Sequence, residues 1–184
     1  MQRVTCFHDS FPHAVAWELA RYRHRAFAAR RGRRPPHNGA QDSDPFDHDD
    51  AWYVVALDED GHIDGWARLL PTTAPYLLAG RFPQLLNGLA PPCSPEVWEL
   101  SRFAAVDLEH TAATPLDASA SPIAMGLLRA AVATAAEQGA KHVITVSTLS
   151  IERLLRHAGF RSHRTGPPVI VEGRALFACW IPVV

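Results

Sequence analysis

The chain has 184 residues, of which 47% are hydrophobic and 20% charged, so we expect one ordered domain over residues 1–184. The formal net charge of −1 gives no reason to expect nucleic acid or a membrane surface as a partner. No apolar run approaches the roughly 18 residues that a membrane helix needs.

The first half of the chain is predicted to be a strand, a helix, a loop and a β-hairpin. Residues 2–7 predict a strand, and Asp9 or Ser10 then caps a helix that runs to about residue 29. Residues 31–50 contain five Asp, together with Pro, Gly and Asn, which is typical of a loop. The turn sequence DEDG joins two β-rich runs at residues 52–57 and 62–71.

The second half is predicted to alternate between strands and helices. Its expected elements, in chain order, are one or two helical turns at 81–87, a strand at 97–106, a loop at 107–120, a helix at 121–138 ended by Gly139, a strand at 142–147, a helix at 150–160 and a strand at 175–183. This order predicts an α/β fold, a single-domain α/β/α sandwich with a mixed, mostly antiparallel sheet. The architecture resembles that of N-acyltransferase (GNAT-like) folds.

Charged residues interrupt two of the predicted central strands. Arg68 stands between Ala67 and Leu69, and the run VWELSRFAAV contains both Glu99 and Arg102. Strand alternation predicts that Glu99, Ser101 and Phe103 share one face and that Arg102 points to the other. Because an unpaired buried charge is costly, Glu99 forms either a structural ion pair with Arg68 or Arg102, or part of a functional site.

The loop sequence QDSDPFDHDD is the second concentration of charge. Its Asp residues suit a cation or a ribose, but the spacing does not fit a calcium loop. For most of them the simpler interpretation is a solvated loop that pairs with the arginines of Arg21–Arg34.

Four motifs in this order resemble the LuxI-type acyl-homoserine-lactone synthases over roughly residues 15–180. They are R-x-x-x-F from Arg23, D-P-F-D from Asp44, ARLLPTT from Ala67 and WELSRFA from Trp98. The resemblance implies transfer of an acyl group from acyl carrier protein to the amine of S-adenosylmethionine, followed by lactonisation and release of methylthioadenosine. It further implies a quorum-sensing product, no metal and no prosthetic group.

The resemblance also implies which residues form the site. The catalytic positions fall on Glu99, Ser101 and Arg102. The substrate-binding positions fall on Arg23, Phe27, Asp44, Asp47, Arg68, Phe103 and Thr145, the last contacting the acyl chain in some members. Where the family usually has Leu-Gly-Trp, this chain has Arg31-Gly32-Arg33, so we expect Arg33, or an aromatic such as Trp66, to replace the Trp.

Roles follow from the chemistry of these side chains. Glu99 is the expected general base, and backbone N–H groups near Ser101–Phe103 are candidates for stabilising the oxyanion. The acyl tail is expected among Met125, Leu128, Thr145, Val146, Leu149 and Phe177. An acidic carrier protein is expected to dock on Lys141, Arg153, Arg156, Arg161 and Arg164, although a solvated basic face fits these residues equally well.

Two other functions remain open from the sequence. A coenzyme-A-dependent N-acetyltransferase would need a Gly-rich turn before the long helix, and LDASASP has no Gly. A non-catalytic homologue that binds a ligand or partner is suggested only by the missing Trp.

The expected compartment is the cytoplasm. The three scattered cysteines predict free thiols, neither a disulfide framework nor a zinc site. The N-terminal run MQRVTCFHDS also lacks the basic-then-apolar pattern of a secretory signal.

Overall fold

The computed structural model of the chain describes residues 2–7, 19, 44–105 and 122–183. The strands in these ranges are β1 Gln2–Phe7, β2 Trp52–Leu57, β3 Ile63–Pro71, β4 Val97–Ala105, β5 His142–Ser147, β6 His163–Arg164, β7 Val169–Val171 and β8 Arg174–Pro182. The helices within 44–105 and 122–183 are α1 Leu77–Arg81, a 3-10 helix Pro83–Leu86, α2 Pro122–Glu137 and α3 Leu149–His157. No helix in the described residues has both the length and the apolar character needed to cross a membrane.

The strands form one mixed sheet in the order β1-β2-β3-β4-β5-β8-β6, and β7 pairs with β8. The β4–β5 pair is parallel and the other pairs are antiparallel. The predicted α/β fold with a mixed, mostly antiparallel sheet is therefore confirmed. The parallel pair arises because α2 crosses over between β4 and β5.

Strand alternation divides the interior into two cores, one on each face of the sheet. The helix-side core contains α2 and α3 packed on Val54, Leu69, Leu100, Val143 and Phe177, among others. The site-side core contains α1 and the 3-10 helix packed on Tyr53, Trp66, Leu70 and Ile144, among others. Neighbouring residues of one strand thus serve different cores, as Val143 and Ile144 do.

Helix α2 lies very close to the sheet at Gly65. A Cβ atom at Gly65 would lie 2.9 Å from the carbonyl oxygen of Ala104 and 3.1 Å from Leu127 Cδ2. Only glycine permits this approach. The predicted C-terminal stop of the helix is confirmed, since Gly139 has a φ of 86° directly after α2.

A β-bulge in β4 corrects the predicted alternation at Arg102. Ser101 pairs with Arg68 and Ala104 with Trp66, so Arg102 and Phe103 together face Ala67. Arg102 adopts a left-handed φ of 56°, which costs a non-glycine residue about 1–3 kcal/mol. The extra residue turns Arg102 towards the face that carries Ser101 and sends Phe103 to the helix-side core.

The shortest elements were not predicted. Helix α1, β6 and β7 have five, two and three residues, too few for a hydrophobic period to show. The predicted turn at 81–87 corresponds to the 3-10 helix. The predicted helix at residues 10–29 (apart from residue 19), most of the predicted loop at 31–50 and all of that at 107–120 lie outside the described residues.

Candidate active site

Arg68 is the centre of a polar cluster on the site-side face of the sheet. Its side chain is 0% exposed, and its Nε donates a hydrogen bond of 3.1 Å to Ser101 Oγ on the neighbouring strand. The two residues are partners in the β3–β4 register, so the strand pairing itself brings them together.

The acidic segment, residues 44–50, supplies the counter-charges. Arg68 Nη1 donates to Asp44 Oδ2 at 3.0 Å and to Asp47 Oδ1 at 2.7 Å. Arg102 reaches the same Asp44 oxygen with Nε, at 2.8 Å, and with Nη2. Tyr53 donates its hydroxyl to Asp47 Oδ1 at 2.5 Å. Asp44, Asp47, Arg68 and Arg102, the charged cluster, therefore form one connected network.

The surroundings of Asp44 keep it ionised. Burial acts to raise the pKa of this carboxyl, but the charge of Arg68, the hydrogen bond from Arg102 and the N–H of Phe46 outweigh it. The pKa of Asp44 is lowered as a result, and the network stays charged inside the protein. Such a network is stable only while every member keeps its partners.

Glu99 lies in the same interior but has different partners. It is 0% exposed, and its Oε2 and Oε1 accept the backbone N–H groups of Leu77 at 2.9 Å and Leu78 at 2.6 Å. The direct ion pair of Glu99 with Arg68 or Arg102 is not formed, because both arginines bond to Asp44 instead. Glu99 thus anchors the start of α1.

Burial is the largest influence on the acidity of Glu99. It raises the pKa of this carboxyl to about 7, against the opposing effects of the two N–H groups and Arg68, while the charge of Asp44 adds to the rise. Each carboxylate oxygen has a second lone pair beyond the one that accepts an N–H. A buried carboxyl with this pKa can exchange a proton near neutrality.

Arg68 carries a second terminal nitrogen that the cluster does not bind. Arg68 Nη2 is buried and has no hydrogen-bond partner among the described residues. A buried guanidinium donor without a partner is costly, and a carboxylate ligand would satisfy it.

The structure brings together Asp44, Asp47, Arg68, Glu99, Ser101 and Arg102, all of which were predicted from the sequence. Phe103 and Thr145 lie on the other face of the sheet, Phe103 against the helix-side core and Thr145 next to Cys179 in the strand register. Arg23, Phe27 and Arg33 are outside the described residues. Trp66 is fully buried and stacks on Tyr53 at 6.1 Å between ring centroids, so it belongs to the core behind the cluster.

The described pairing of β4 with β5 ends before the bulge at Arg102. Their ladder joins Val97–Leu100 to His142–Thr145, after which the described register pairs β4 with β3 and β5 with β8. The bulge of Arg102 lies just beyond this point.

Two of the residues predicted to contact the acyl chain lie away from the helix-side core. Val146 packs against the site-side core, since it alternates with Thr145. Leu149 is 47% exposed at the start of α3. Leu128 and Phe177 are in the helix-side core and Met125 packs against it.

The predicted basic dock divides into paired and exposed residues. Lys141 pairs with Glu96, and Arg164 forms two hydrogen bonds with Glu152 while lying over the Phe177 ring. Arg153, Arg156 and Arg161 are exposed. Lys141 is exposed as well, at 66% of its side chain, but its charge is paired with Glu96.

Several residues that support the charged cluster or Glu99 were not predicted. They are Tyr53, Tyr76, His48 and the backbone of Leu77 and Leu78. Tyr53 could have been found, because a tyrosine in a buried strand needs a partner for its hydroxyl. The N–H donors could not, since any residue type supplies them.

Outside the cluster, Asp58, Asp60 and His62 place ligand atoms within 4.8 Å of one another in the β2–β3 turn. Asp58 Oδ1 already accepts the N–H groups of Asp60 and His62. These contacts stabilise the turn and account for the grouping.

The fold and the buried charged site define an acyltransferase with a GNAT-like fold. The chain belongs to the autoinducer synthase family, whose family model matches residues 9–184. An acyl-homoserine-lactone synthase of Acinetobacter nosocomialis is 48% identical over 185 residues, covering 100% of both chains. The activity is therefore acyl-homoserine-lactone synthesis, which makes a quorum-sensing signal.

Two solved structures are informative about ligands. The chain is similar to TofI, solved in a ternary complex with an inhibitor and MTA, with a TM-score of 0.83 and 41% identity over 100% of this chain and 92% of that one. It is also similar to BjaI, described as CoA-dependent and solved with SAM and isopentyl-CoA. That comparison has a TM-score of 0.79 and 25% identity over 98% of this chain and 82% of that one.

Proposed function

We propose that this enzyme transfers an acyl group from acyl carrier protein to the α-amine of S-adenosylmethionine, then closes the lactone and releases methylthioadenosine. The observation that carries the proposal is the charged cluster beside a buried carboxyl, Glu99, whose pKa is raised to about 7. The ligands of TofI and BjaI, MTA and SAM, support the same substrate for this chain.

The charged cluster suits a zwitterion. Asp44 and Asp47 present carboxylate oxygens to the ammonium or ribose, and the unpartnered Nη2 of Arg68 presents a donor to the substrate carboxylate. Arg102 and Ser101 hold Asp44 and Arg68 in place. Arg23, Phe27 and Arg33 complete the binding site in this proposal.

Glu99 acts as the general base of the acylation step. Near pH 7 about half of it is ionised, and the α-amine to be deprotonated has an ordinary pKa of about 7.7–8.0. The free amine attacks the thioester carbonyl, the N–C bond forms, and the C–S bond breaks to release the thiol. One proton of the original ammonium leaves through Glu99, directly or through a water molecule, and the second passes from the acylated nitrogen to the departing thiolate.

The thioester would lie where β4 and β5 separate. There the bulge at Arg102 and Phe103 turns backbone N–H groups out of the β3–β4 ladder, and we propose that these stabilise the oxyanion of the tetrahedral intermediate. The acyl tail continues into the helix-side core past Thr145 and Phe103.

Lactonisation needs orientation more than acid catalysis. The substrate carboxylate attacks its own γ-carbon, a C–O bond forms, and the C–S bond to the sulfonium breaks with methylthioadenosine as the leaving group. An arginine that fixes the carboxylate supplies the orientation. No metal or prosthetic group takes part in the proposed steps.

The proposed acyl donor is acyl carrier protein, because the exposed Arg153, Arg156 and Arg161 complement an acidic partner. BjaI is described as CoA-dependent, which makes coenzyme A the second candidate donor. We further propose that residues 1–184 form one domain that works in the cytoplasm.

Mass spectrometry of the products tests the proposal. The protein is incubated with S-adenosylmethionine and a pool of acyl groups, supplied once on carrier protein and once on coenzyme A. We expect methylthioadenosine and an acylated homoserine lactone in equal amounts with the carrier-linked pool. Product formed only from the coenzyme A pool would reject acyl carrier protein as the donor. Product formed from neither pool would reject the proposed reaction.

A further inference from the structure

His48 connects the acidic segment to the start of α1. Its Nε2 lies 2.9 Å from the carbonyl oxygen of Pro75, a residue 27 positions away in sequence. Since a carbonyl only accepts hydrogen bonds, Nε2 must carry the hydrogen. The other ring nitrogen, Nδ1, lies 3.7 Å from Asp50.

The contact with Pro75 continues to Glu99. Pro75 precedes Tyr76, the N-cap residue of α1, and the next two N–H groups, of Leu77 and Leu78, bind the Glu99 carboxylate. At the other end, the backbone bonds Asp47 N to Asp44 O and Ala51 N to His48 O make the acidic segment a compact turn. The imidazole therefore lies between the charged cluster and the residues that hold Glu99.

Helix α1 needs such external support. It has five residues, and its N-cap, Tyr76, makes no side-chain capping bond. A helix this short is not stable by itself. Its orientation depends on contacts with Glu99 and the acidic segment.

A second contact supports the same arrangement. A Cβ atom at Gly80 of α1 would lie 2.9 Å from Phe46 Cζ, so the Phe46 ring packs directly on the helix. Phe46 provides the apolar contact between the acidic segment and α1, and His48 provides a directional one at the helix start.

We propose that His48 is a positioning residue, which fixes the start of α1 against the acidic segment and so orients the two N–H groups that hold Glu99. The proposal rests on the proposed function in one respect, the role of Glu99 as the base. It adds a residue that contacts neither the carboxylate nor the substrate.

Loss of the His48 bond has a defined electrostatic consequence. The N–H groups of Leu77 and Leu78 lower the pKa of Glu99 against the larger effect of burial. If they turn away, the pKa of Glu99 rises further above 7. The charged or titratable groups that interact with Glu99 among the described residues are Arg68, Asp44 and Tyr76, and none of them is removed by a change at His48.

The test compares His48→Leu, which removes the donor, with His48→Gln, whose amide restores one near Nε2. His62→Leu is the matched control, because His62 is 70% exposed in the β2–β3 turn and contacts Asp58. The readouts are the acidic midpoint of the pH–kcat profile, the KM for S-adenosylmethionine and hydrogen exchange at Leu77 and Leu78. Thermal melting shows that each variant is folded.

In His48→Leu we expect kcat to fall about tenfold at pH 7 with little change in KM. The midpoint should move to higher pH, and the two amides should exchange several-fold faster. His48→Gln should recover most of each effect, and His62→Leu should match the wild type.

A folded His48→Leu with unchanged exchange at Leu77 and Leu78 would overturn the proposal. Unchanged exchange is decisive even if Glu99 is not the base, since it reads the helix start directly. An active Glu99→Gln would instead reject the role of Glu99 and leave the exchange result to decide on His48.

Discussion

Asp44 and Glu99 are two carboxyls in one interior whose pKa values move in opposite directions. Burial acts to raise the pKa of both. At Asp44 the guanidinium groups of Arg68 and Arg102 reverse the effect, whereas at Glu99 two backbone N–H groups and the charge of Arg68 do not. Separated pKa values of this kind agree with the proposed roles, binding for Asp44 and proton transfer for Glu99.

The raised pKa of Glu99 predicts a pH-dependent stability difference between wild type and Glu99→Gln. A carboxyl with a folded pKa of about 7 and an ordinary value of 4.5 stabilises the fold while protonated. This contribution is present below pH 4.5 and is lost as the pH rises to 7, by about 3 kcal/mol in total. The difference in the free energy of unfolding, wild type minus Glu99→Gln, should therefore decrease as the pH rises from 5 to 8.

Urea denaturation at several pH values measures that difference. Glu99→Gln is expected to stay folded, although its amide N–H₂ faces a backbone N–H and costs about 1 kcal/mol. A difference that stays constant or increases with pH would show that Glu99 is ionised throughout.

Asp44→Asn removes the charge shared by Arg68 and Arg102. Arg68 is fully buried and keeps Asp47 as its remaining counter-charge within the charged cluster, so we expect a loss of about 3 kcal/mol in the free energy of unfolding. Asp60→Asn, an exposed aspartate in the β2–β3 turn, is the control and should cost less than about 0.5 kcal/mol. Equal effects of the two substitutions in urea denaturation would contradict a structural role for the network.

At the scale of elements, helix α1 and the acidic segment fit together through Gly80 and Phe46. Gly80→Ala should raise the helix propensity by about 1 kcal/mol, yet the new Cβ would lie 2.9 Å from the buried Phe46 ring. Because that ring has little room to move, we expect a net loss of about 1 kcal/mol in unfolding free energy.

A double-mutant cycle with Phe46→Leu checks the cause. Gly80→Ala should be less harmful when the smaller, non-planar Leu is present, which gives a favourable coupling energy. Additive effects would show that the clash is not with Phe46.

Sequence periodicity revealed the long elements and missed the short ones. The β-hairpin and α2 are long enough for their patterns to show, and Gly139 marks the end of α2. The five residues of α1 carry no period, and the bulge at Arg102 breaks the two-residue alternation on which its predicted orientation relied. Charges inside strands drew attention to Arg68, Glu99 and Arg102, but the family resemblance was needed to favour a site over a structural ion pair and to add Asp44 and Asp47. The N–H groups of Leu77 and Leu78 leave no signal in the sequence.

At the scale of the whole molecule, the sheet separates the chemistry into two sides. The charged cluster and Glu99 lie on one face, while Thr145, Phe103 and α2 lie on the other. In the proposed function, the polar head of the substrate lies on the first face and the apolar tail passes to the second where the β4–β5 ladder ends. The basic residues of α3 lie outside both cores, where a carrier protein could reach them.

The combined change Arg153→Glu and Arg156→Glu tests the dock. We expect the KM for an acyl group on carrier protein to rise about tenfold, because attraction to an acidic partner becomes repulsion. The KM for S-adenosylmethionine should not change. Arg174→Glu, exposed in the β7–β8 hairpin, is the control, and an equal rise in both variants would remove the dock from α3.

The rate of amine acylation in a single turnover, measured from pH 5 to pH 9, tests the central claim most directly. In the wild type the rate should rise with pH through two midpoints. One lies near pH 7 and comes from Glu99, and the other lies at about 7.7–8.0 and comes from the amine itself. In Glu99→Gln the lower midpoint should disappear and the rate at pH 7 should fall at least about 100-fold. A folded Glu99→Gln that keeps the midpoint near 7, or acylates at the wild-type rate, would contradict the account.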